Sequence, residues 1–259
     1  MWAIVTGASS GIGRDISRYL FDLGYNLVII ARDKDKLDKL KKELLEKVEK
    51  KNEKREILVI QSDLSIKDNC FDIYRKTKDL DIDLLINNAG FGVFGNFVET
   101  DLEKEINLIN TNITAVHILT KLYLKDMVEK NKGRILNVAS IAGMEPGPLM
   151  ATYYASKSYV IRLSRAINKE LKKKKSKVKI SILCPGPVDT NFNNVANVKF
   201  KAPSEPSEKV AKYGIDKTLK GKLIIIPGIL NKSVRIFSKI IPDCILESVA
   251  YHIQIRKRK

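Results

Sequence analysis

The chain opens with an apolar strand pattern that runs directly into a glycine-rich turn. Ile4 and Val5 are followed by Thr6-Gly7-Ala8-Ser9-Ser10-Gly11-Ile12-Gly13, and a helical pattern continues from the end of this stretch. Glycines permit a tight turn, a close approach of the backbone to a ligand, and close packing of a helix on a strand. A helix that starts here presents free N–H groups to a pyrophosphate. The stretch therefore predicts the start of a dinucleotide-binding α/β fold.

Short apolar runs alternate with helical patterns along the rest of the chain, as expected for a parallel sheet covered by helices on both faces. We therefore predict a doubly wound Rossmann fold with a seven-stranded parallel sheet. No linker, internal repeat or second glycine-rich loop divides the 259 residues, so a single domain, 1–259, is expected. Further strands are predicted at 26–31, 57–61, 83–86, 135–139, 178–184 and 223–226, and helices at 35–51, 99–129, 153–174 and 207–219, with a non-helical loop at 143–148.

A later stretch places three reactive side chains where they could share one site. Ser140 follows the apolar run 135–139 and so lies at the carboxyl end of a strand, where open α/β sheets bind ligands. Tyr153 and Lys157 are four residues apart and stack on one helix face. A free tyrosine titrates near pH ~10, and a fixed ammonium beside it lowers that pKa. The pair predicts a tyrosine that exchanges protons near neutral pH, although such pairs also occur on ordinary amphipathic helices.

Six motifs agree, in order and spacing, with one family. They are Thr6-Gly7-x-x-x-Gly11-Ile12-Gly13, Asn87-Asn88-Ala89-Gly90, Asn112, Ser140, Tyr153-x-x-x-Lys157 and Pro185-Gly186-Pro187-Val188-Asp189-Thr190. The chain thus resembles the classical short-chain dehydrogenase/reductase family over about residues 1 to 228. The resemblance implies NAD(P)-dependent interconversion of a carbonyl and an alcohol. It implies cofactor contacts at Gly7, Ser9, Ser10, Gly11, Ile12, Gly13, Arg32, Asp63, Leu64, Asn88, Ala89, Gly90, Tyr153, Lys157, Pro185, Gly186, Val188 and Thr190.

The same resemblance gives roles to four catalytic residues. Tyr153 would give a proton to the nascent alkoxide, and Lys157 would lower the tyrosine pKa and bond the nicotinamide ribose. Ser140 would orient the carbonyl oxygen, and Asn112 would hold a water in a proton relay. Asp63 corresponds to a residue that contacts the adenine, although an aspartate at a strand end could instead cap the next helix.

Cofactor choice depends on the residues that follow the second strand. The position at which NAD-preferring members of the family carry an acid is Ala31, and Arg32 follows it. An arginine there accommodates the 2′-phosphate of NADP, so NADP(H) is favoured over NAD(H), and reduction is the expected direction. Asp33 leaves an alternative open, because its carboxylate could pair with Arg32 or cap the following helix.

The net charge of +17 raises the question of nucleic-acid or lipid partners. Most lysines alternate with acids along predicted helices, and the basic clusters 172–175 and 256–259 lie at predicted helix ends, so no nucleic acid is expected. The three cysteines lack the spacing of a zinc site or a disulfide framework, and no metal is expected. The first strand begins without a secretory pattern, which favours a cytoplasmic location.

Two segments should shape the substrate end of the site. Residues 187–206 correspond to the family's substrate lid, and residues 229–259 form an amphipathic extension interrupted by Pro242. The extension could pack on the domain, cover the cleft, join another subunit or lie on a membrane surface, and packing within the protein is favoured over membrane contact. The expected protein is a homodimer or homotetramer that acts on a small-molecule carbonyl or alcohol, chiefly an apolar ketone or aldehyde. The alternative function is a non-catalytic dinucleotide-binding sensor or scaffold.

Overall fold

A computed structural model describes residues 1–49, 54–190, 192, 204–228, 231 and 242–255. Seven strands form one parallel sheet in the order β3-β2-β1-β4-β5-β6-β9, and β7 pairs with β8 separately. The elements are β1 (Trp2–Thr6), α1 (Gly11–Asp22), β2 (Asn26–Ala31), α2 (Lys34–Glu49), β3 (Ile57–Gln61), α3 (Lys67–Thr77), β4 (Ile82–Asn87), α4 (Leu102–Ile109), a π-helical turn (Asn110–Ala115), α5 (Val116–Glu129), β5 (Arg134–Val138), a 3-10 helix (Ile141–Met144), α6 (Ala151–Lys173), β6 (Lys179–Leu183), β7 (Val188–Asp189), β8 (Glu205–Pro206), α7 (Ser207–Leu219), β9 (Ile224–Ile225) and α8 (Asp243–Ile255).

The strands are apolar because helices cover both faces of the sheet. In the central strands β1 and β4, the side chains of Ile4, Val5, Leu85 and Ile86 are fully buried. One core cluster packs α1, α2 and α7 on one face, and a second packs α3 and α5 on the other. The predicted doubly wound fold with seven parallel strands is confirmed.

The chain reverses its direction of winding between β1 and β4, and this point positions the site. β1 bonds β2 on one side and β4 on the other, which leaves a crevice outside their carboxyl ends. The Asn88 side-chain amide donates to the Thr6 carbonyl at 2.9 Å, and the Asn87 amide donates to the Asn137 side-chain oxygen at 2.8 Å. These bonds tie β1, β4 and β5 together where they face the crevice.

The predicted continuous helix 99–129 is wrong in its middle. α4 starts only at Leu102, where the Asp101 carboxylate accepts a bond from the Lys104 N–H at 3.0 Å. After α4, residues 110–115 form a π-helical turn before α5 begins. In this turn the Asn112 side chain bonds both the N–H and the C=O of Phe91, at 3.1 and 2.9 Å. These long-range bonds hold Asn112 inward, and a π turn accommodates the extra residue.

The predicted loop at 143–148 is wrong for its first two residues. Gly143 and Met144 belong to the 3-10 helix, which the Ser140 hydroxyl caps by accepting a bond from the Ala142 N–H at 3.1 Å. The other predicted elements agree with the structure to within a few residues. Most of the lid and of the extension, including 193–203, 232–241 and the basic residues 256–259, lie outside the described residues.

The described part of the extension forms α8, which exposes apolar side chains. Ile245, Val249 and Ile253 recur every fourth residue and are each about half exposed. One side chain of this helix, Gln254, is buried and bonds Tyr154 of α6 at 2.6 Å. Among the described helices, none combines the length and apolar character needed to cross a bilayer.

Candidate active site

A cleft of about 510 Å³ runs along the carboxyl edge of the sheet. Its walls come from the glycine-rich loop, the ends of β2 to β6, α6 and α8. Of the residues predicted for the site, Gly13 and Asn112 lie behind the wall. Those that line the cleft are Gly7, Ser9, Ser10, Gly11, Ile12, Arg32, Asp63, Leu64, Asn88, Ala89, Gly90, Ser140, Tyr153, Lys157, Pro185, Gly186, Val188 and Thr190.

The first turn of α1 closes one end of the cleft with backbone N–H groups. Ser10 precedes this helix and makes no side-chain capping bond within the described residues, so the first N–H groups stay available for an anion. Behind this turn, a Cβ on Gly13 would lie 2.3 Å from the Gly7 carbonyl oxygen and 2.4 Å from the Asn88 side-chain nitrogen. Only glycine permits this packing, and the resulting cradle fits a pyrophosphate.

Two basic side chains line the cleft beyond β2. Arg32 is exposed there, and Lys36 joins it from the first turn of α2. Asp33 caps this helix, because its carboxylate accepts a bond from the Lys36 N–H at 3.0 Å and pairs with the Lys36 ammonium at 2.7 Å. These two bonds lower the pKa of Asp33. Of the alternatives open for Asp33, the structure shows the cap, and the carboxylate is engaged by Lys36.

Asp63 lies at the cleft wall and does not cap the next helix, α3, whose N-cap residue is Ile66. It lines the cleft beside Leu64, yet its carboxylate also accepts a bond from the Ser65 N–H at 2.9 Å. The Asn69 side chain adds a bond to the Asp63 carbonyl at 2.8 Å. The turn therefore holds Asp63 rigidly at the cleft wall, and its contact with an adenine stays a prediction.

Ser140, Tyr153 and Lys157 meet where β5 and β6 end. The Ser140 hydroxyl donates to the Pro185 carbonyl at 3.4 Å and lies close enough to the Tyr153 hydroxyl to lower the Tyr153 pKa. The Lys157 ammonium donates to the Val138 carbonyl at 3.0 Å and lies 5.8 Å from the centre of the Tyr153 ring. The structure thus brings together the serine, tyrosine and lysine that sequence spacing predicted to share one site.

The pKa values of this cluster differ from the predicted ones. Burial raises the pKa of Tyr153, which the Ser140 hydroxyl lowers only in part, and burial lowers the pKa of Lys157 to about 8. The predicted lowering of the Tyr153 pKa is wrong in this arrangement, because burial disfavours the phenolate and the ammonium is bonded to a backbone carbonyl. At neutral pH, Tyr153 is therefore a protonated donor. Lys157 is a buried cation whose pKa lies only slightly above neutral pH.

Asn112 lies directly behind Lys157. A Cβ on Gly90 would fall 2.9 Å from the Asn112 side-chain oxygen and 3.3 Å from the Lys157 ammonium, so these two side chains flank the same glycine. Asn112 also donates to the Ser156 hydroxyl at 3.0 Å. Its amide therefore positions the loop at Phe91 and the turn of α6 that carries Lys157. Its role in a water relay stays a prediction.

The substrate end of the cleft is apolar. Phe94, Met150, Tyr153, Tyr154 and Phe192 form one cluster there, and the rings of Tyr153 and Phe192 are 5.3 Å apart. Sequence reasoning anticipated an apolar lid at Phe192 but missed other lining residues. Tyr154 could have been found from its position beside Tyr153, whereas no local signal marked several other missed residues, among them Lys36, Ser62, Glu145, Met150 and Gln254.

The described residues contain no group of three or more histidine, cysteine, aspartate or glutamate side chains that could hold a metal ion. His117 bonds the Tyr159 hydroxyl at 2.7 Å, and His252 bonds the Ser248 carbonyl at 2.7 Å. Both histidines therefore take part in contacts within or between helices.

Comparison with known proteins points to one family. The sequence model described as short chain dehydrogenase matches residues 1–200. A very-long-chain 3-oxoacyl-CoA reductase of Anas platyrhynchos is 36% identical over 210 residues, which cover 78% of this chain and 64% of the relative. A 17-beta-hydroxysteroid dehydrogenase type 3 of Mus musculus is 34% identical over 216 residues, covering 82% and 68%. The match thus spans about two thirds of these curated relatives' length.

The fold is also found among solved structures. A short-chain dehydrogenase from Sphingobium yanoikuyae, solved in complex with NADPH, superposes with a TM-score of 0.81 at 27% sequence identity. The superposition covers 93% of this chain and 96% of that chain, so it includes almost all of both proteins.

Proposed function

We propose, for a chain that belongs to the short-chain dehydrogenase family, an NADPH-dependent oxidoreductase activity that interconverts a carbonyl and an alcohol. The usual reaction is the reduction of an apolar ketone or aldehyde. The observation that carries this proposal is the meeting of Ser140, Tyr153 and Lys157 in a cleft whose other end is a glycine-lined anion cradle.

The residues of the cleft fit a nicotinamide dinucleotide. When bound, such a cofactor supplies or accepts a hydride. The first turn of α1 would hold its pyrophosphate, and the asparagine–glycine loop after β4 would pass along its flat rings. Arg32 and Lys36 support NADP(H) over NAD(H), because two cations there match a 2′-phosphate and Asp33 is already engaged in capping.

Each catalytic side chain has a role that its contacts support. Ser140 and Tyr153 line the same part of the cleft and interact with each other, so both hydroxyls can turn to one carbonyl oxygen. Tyr153, protonated at neutral pH, donates its proton as negative charge develops on that oxygen. The nearby ammonium of Lys157 then stabilises the phenolate that remains. Met150 and Phe192 exclude water from this step.

A sizeable apolar carbonyl compound is the substrate class that the cleft supports best. The two curated relatives are named for a 3-oxoacyl-CoA and a hydroxysteroid. The apolar cluster around Tyr153 suits the apolar part of such a molecule. A homodimeric or homotetrameric assembly, a cytoplasmic location and the lack of a nucleic-acid partner stay predictions, which sizing, fractionation and a salt titration of binding would test.

The test is NADPH oxidation with a pooled panel of aldehydes and ketones, from small to long. Tyr153→Phe should lose turnover but keep NADPH affinity, measured by cofactor fluorescence. Tyr159→Phe is the matched control, because it removes a hydroxyl from the same helix where that hydroxyl bonds His117. Equal turnover in Tyr153→Phe and wild type would refute the catalytic role. NADPH binding without any turnover would favour the alternative of a sensor or scaffold.

A further inference from the structure

One polar side chain of α8, that of Gln254, lies at the substrate end of the cleft. Gln254 is 1% exposed, although Ile253 and Ile255 on either side of it are 52% and 41% exposed. Its amide nitrogen donates to the Tyr154 hydroxyl at 2.6 Å. Its amide oxygen is buried and has no hydrogen-bond partner among the described residues. Buried acceptors are nearly always paired, so this oxygen calls for a partner that the described residues do not provide.

The position of this oxygen distinguishes it from the other unpaired atoms. Two further buried side-chain atoms lack a partner in the described part of the chain, and they belong to Asn87 of β4 and Arg134 of β5. Neither of those residues lines the cleft, whereas Gln254 does. The natural partner for its oxygen is therefore a molecule bound in the cleft.

A second acceptor lies near Gln254. Glu145 lines the same cleft and is half-buried, and burial together with the smaller effect of the Glu145 charge raises the pKa of Tyr154 to about 12. Glu145, Tyr154 and Gln254 form what we call the distal polar cluster. The ring centres of Tyr153 and Tyr154 are 6.1 Å apart, so the cluster begins one ring away from the proton donor.

The chemistry of the cluster selects the kind of group it would bind. One N–H of the Gln254 amide bonds Tyr154, and the amide oxygen, which has no partner among the described residues, is a neutral acceptor. Such an atom binds a neutral donor, and a hydroxyl group is the simplest one. Met150 and Phe192 pack in one cluster with Tyr153 and Tyr154, and this surface suits an apolar segment of the substrate.

We propose that the Gln254 amide oxygen accepts a hydrogen bond from a hydroxyl group that the substrate carries at a distance from its reacting carbonyl. Gln254 is then a specificity-determining residue, and the preferred substrates are apolar ketones or aldehydes with a second, hydroxylated end. This inference rests on the proposed function and specifies the substrate of the same site.

The test compares ketones of matched length whose far end is a methyl, a methoxy or a hydroxyl group. The wild-type kcat/KM should be about threefold to tenfold higher for the best hydroxyl ketone than for its methyl and methoxy counterparts, the range of one net hydrogen bond. A hydroxyl-to-methyl ratio of one at every chain length would overturn the inference. A preference for methoxy would overturn it too, because it would show that the amide nitrogen faces the substrate.

Variants assign the preference to Gln254. Gln254→Leu keeps most of the side-chain volume but removes the acceptor, so the hydroxyl-to-methyl ratio should fall to about one. Gln254→Glu keeps an acceptor and should keep a ratio above one. Ile253→Ala, an exposed neighbour on the same helix, should keep the wild-type ratio. A wild-type ratio in Gln254→Leu would overturn the assignment.

Calorimetric binding of the same compounds to the NADPH-saturated protein separates this inference from the proposed function. If no ketone is turned over, the proposed function fails, and the hydroxyl-to-methyl ratio of binding constants still decides the role of Gln254. If ketones are turned over without a hydroxyl preference, only the role of Gln254 fails.

Discussion

The dinucleotide end and the substrate end of the cleft are constructed differently. At the dinucleotide end, backbone groups of the glycine-rich loop form the wall around the first turn of α1, and hydrogen bonds between Thr6 and Asn88 hold the loops in place. At the substrate end, the walls are large side chains, among them Met150, Phe192 and Gln254. Backbone walls suit one ligand shape and tolerate few substitutions. Side-chain walls can be altered singly, so substrate choice can change while cofactor binding is kept.

The largest effects should come from the junction of the two ends, at Lys157. Lys157→Met should lower kcat/KM by ~10²- to 10⁴-fold, because the phenolate of Tyr153 loses its cation. The same variant should be more stable than wild type at pH 7, by up to ~3 kcal/mol, because burial lowers the Lys157 pKa from 10.5 to about 8. Loss of the bond to the Val138 carbonyl will offset part of this gain.

The gain in stability of Lys157→Met over wild type depends on pH. The folded state disfavours the charged lysine, so the advantage of Lys157→Met is complete below about pH 8 and disappears as the pH rises to 10.5. Urea denaturation at pH 7 and at pH 10.5 measures it. A variant that is less stable than wild type at pH 7 would show that burying the ammonium is not unfavourable.

At the dinucleotide end, Gly13→Ala should weaken NADPH binding by ~10- to 100-fold, because the new Cβ overlaps the backbone of the loop. It should also lower the free energy of unfolding. Gly214→Ala is the control, since its Cβ would meet only the Leu183 side chain, at 3.0 Å. Equal NADPH affinity in Gly13→Ala and wild type would contradict a backbone-walled cradle.

Arg32 and Lys36, which lie just before and within the first turn of α2, should bind the 2′-phosphate of NADPH. Arg32→Ala should weaken NADPH binding by ~10-fold and leave NADH binding nearly unchanged, because a charge-assisted bond to the 2′-phosphate is lost. Lys36→Ala should act in the same direction, and Lys34→Ala, an exposed neighbour outside the cleft wall, should not. Fluorescence titrations with both cofactors measure this, and equal losses for NADPH and NADH would refute the assignment.

The smallest effect should come from a single wall residue at the substrate end. Phe192→Ala should raise KM for apolar ketones by ~3- to 10-fold, since it removes part of the apolar surface around Tyr153. NADPH affinity should stay at the wild-type value in the same variant. If cofactor binding falls as much as ketone binding, the two ends are not independent.

Sequence and structure agree best where short motifs determine backbone geometry. The glycine-rich turn, the asparagines after β4 and the spacing of Tyr153 and Lys157 each act over a few residues, so their placement could be predicted. The π turn could not be predicted from the sequence, because it depends on bonds between Asn112 and the backbone of Phe91. The direction of the Tyr153 pKa shift could not be predicted either, because residue spacing does not report burial. Gln254 enters the cleft only through the packing of α8 on Tyr154.

The hydrogen bonds between Thr6 and Asn88 connect segments 82 residues apart in the chain. The cradle for the dinucleotide therefore forms only after β4 has joined β1, which is a slow, long-range step in folding. A ligand of this cradle binds the assembled protein and not the unfolded chain. By mass action, cofactor concentration then sets the apparent melting temperature and, in a cell, the fraction of the protein that escapes proteolysis.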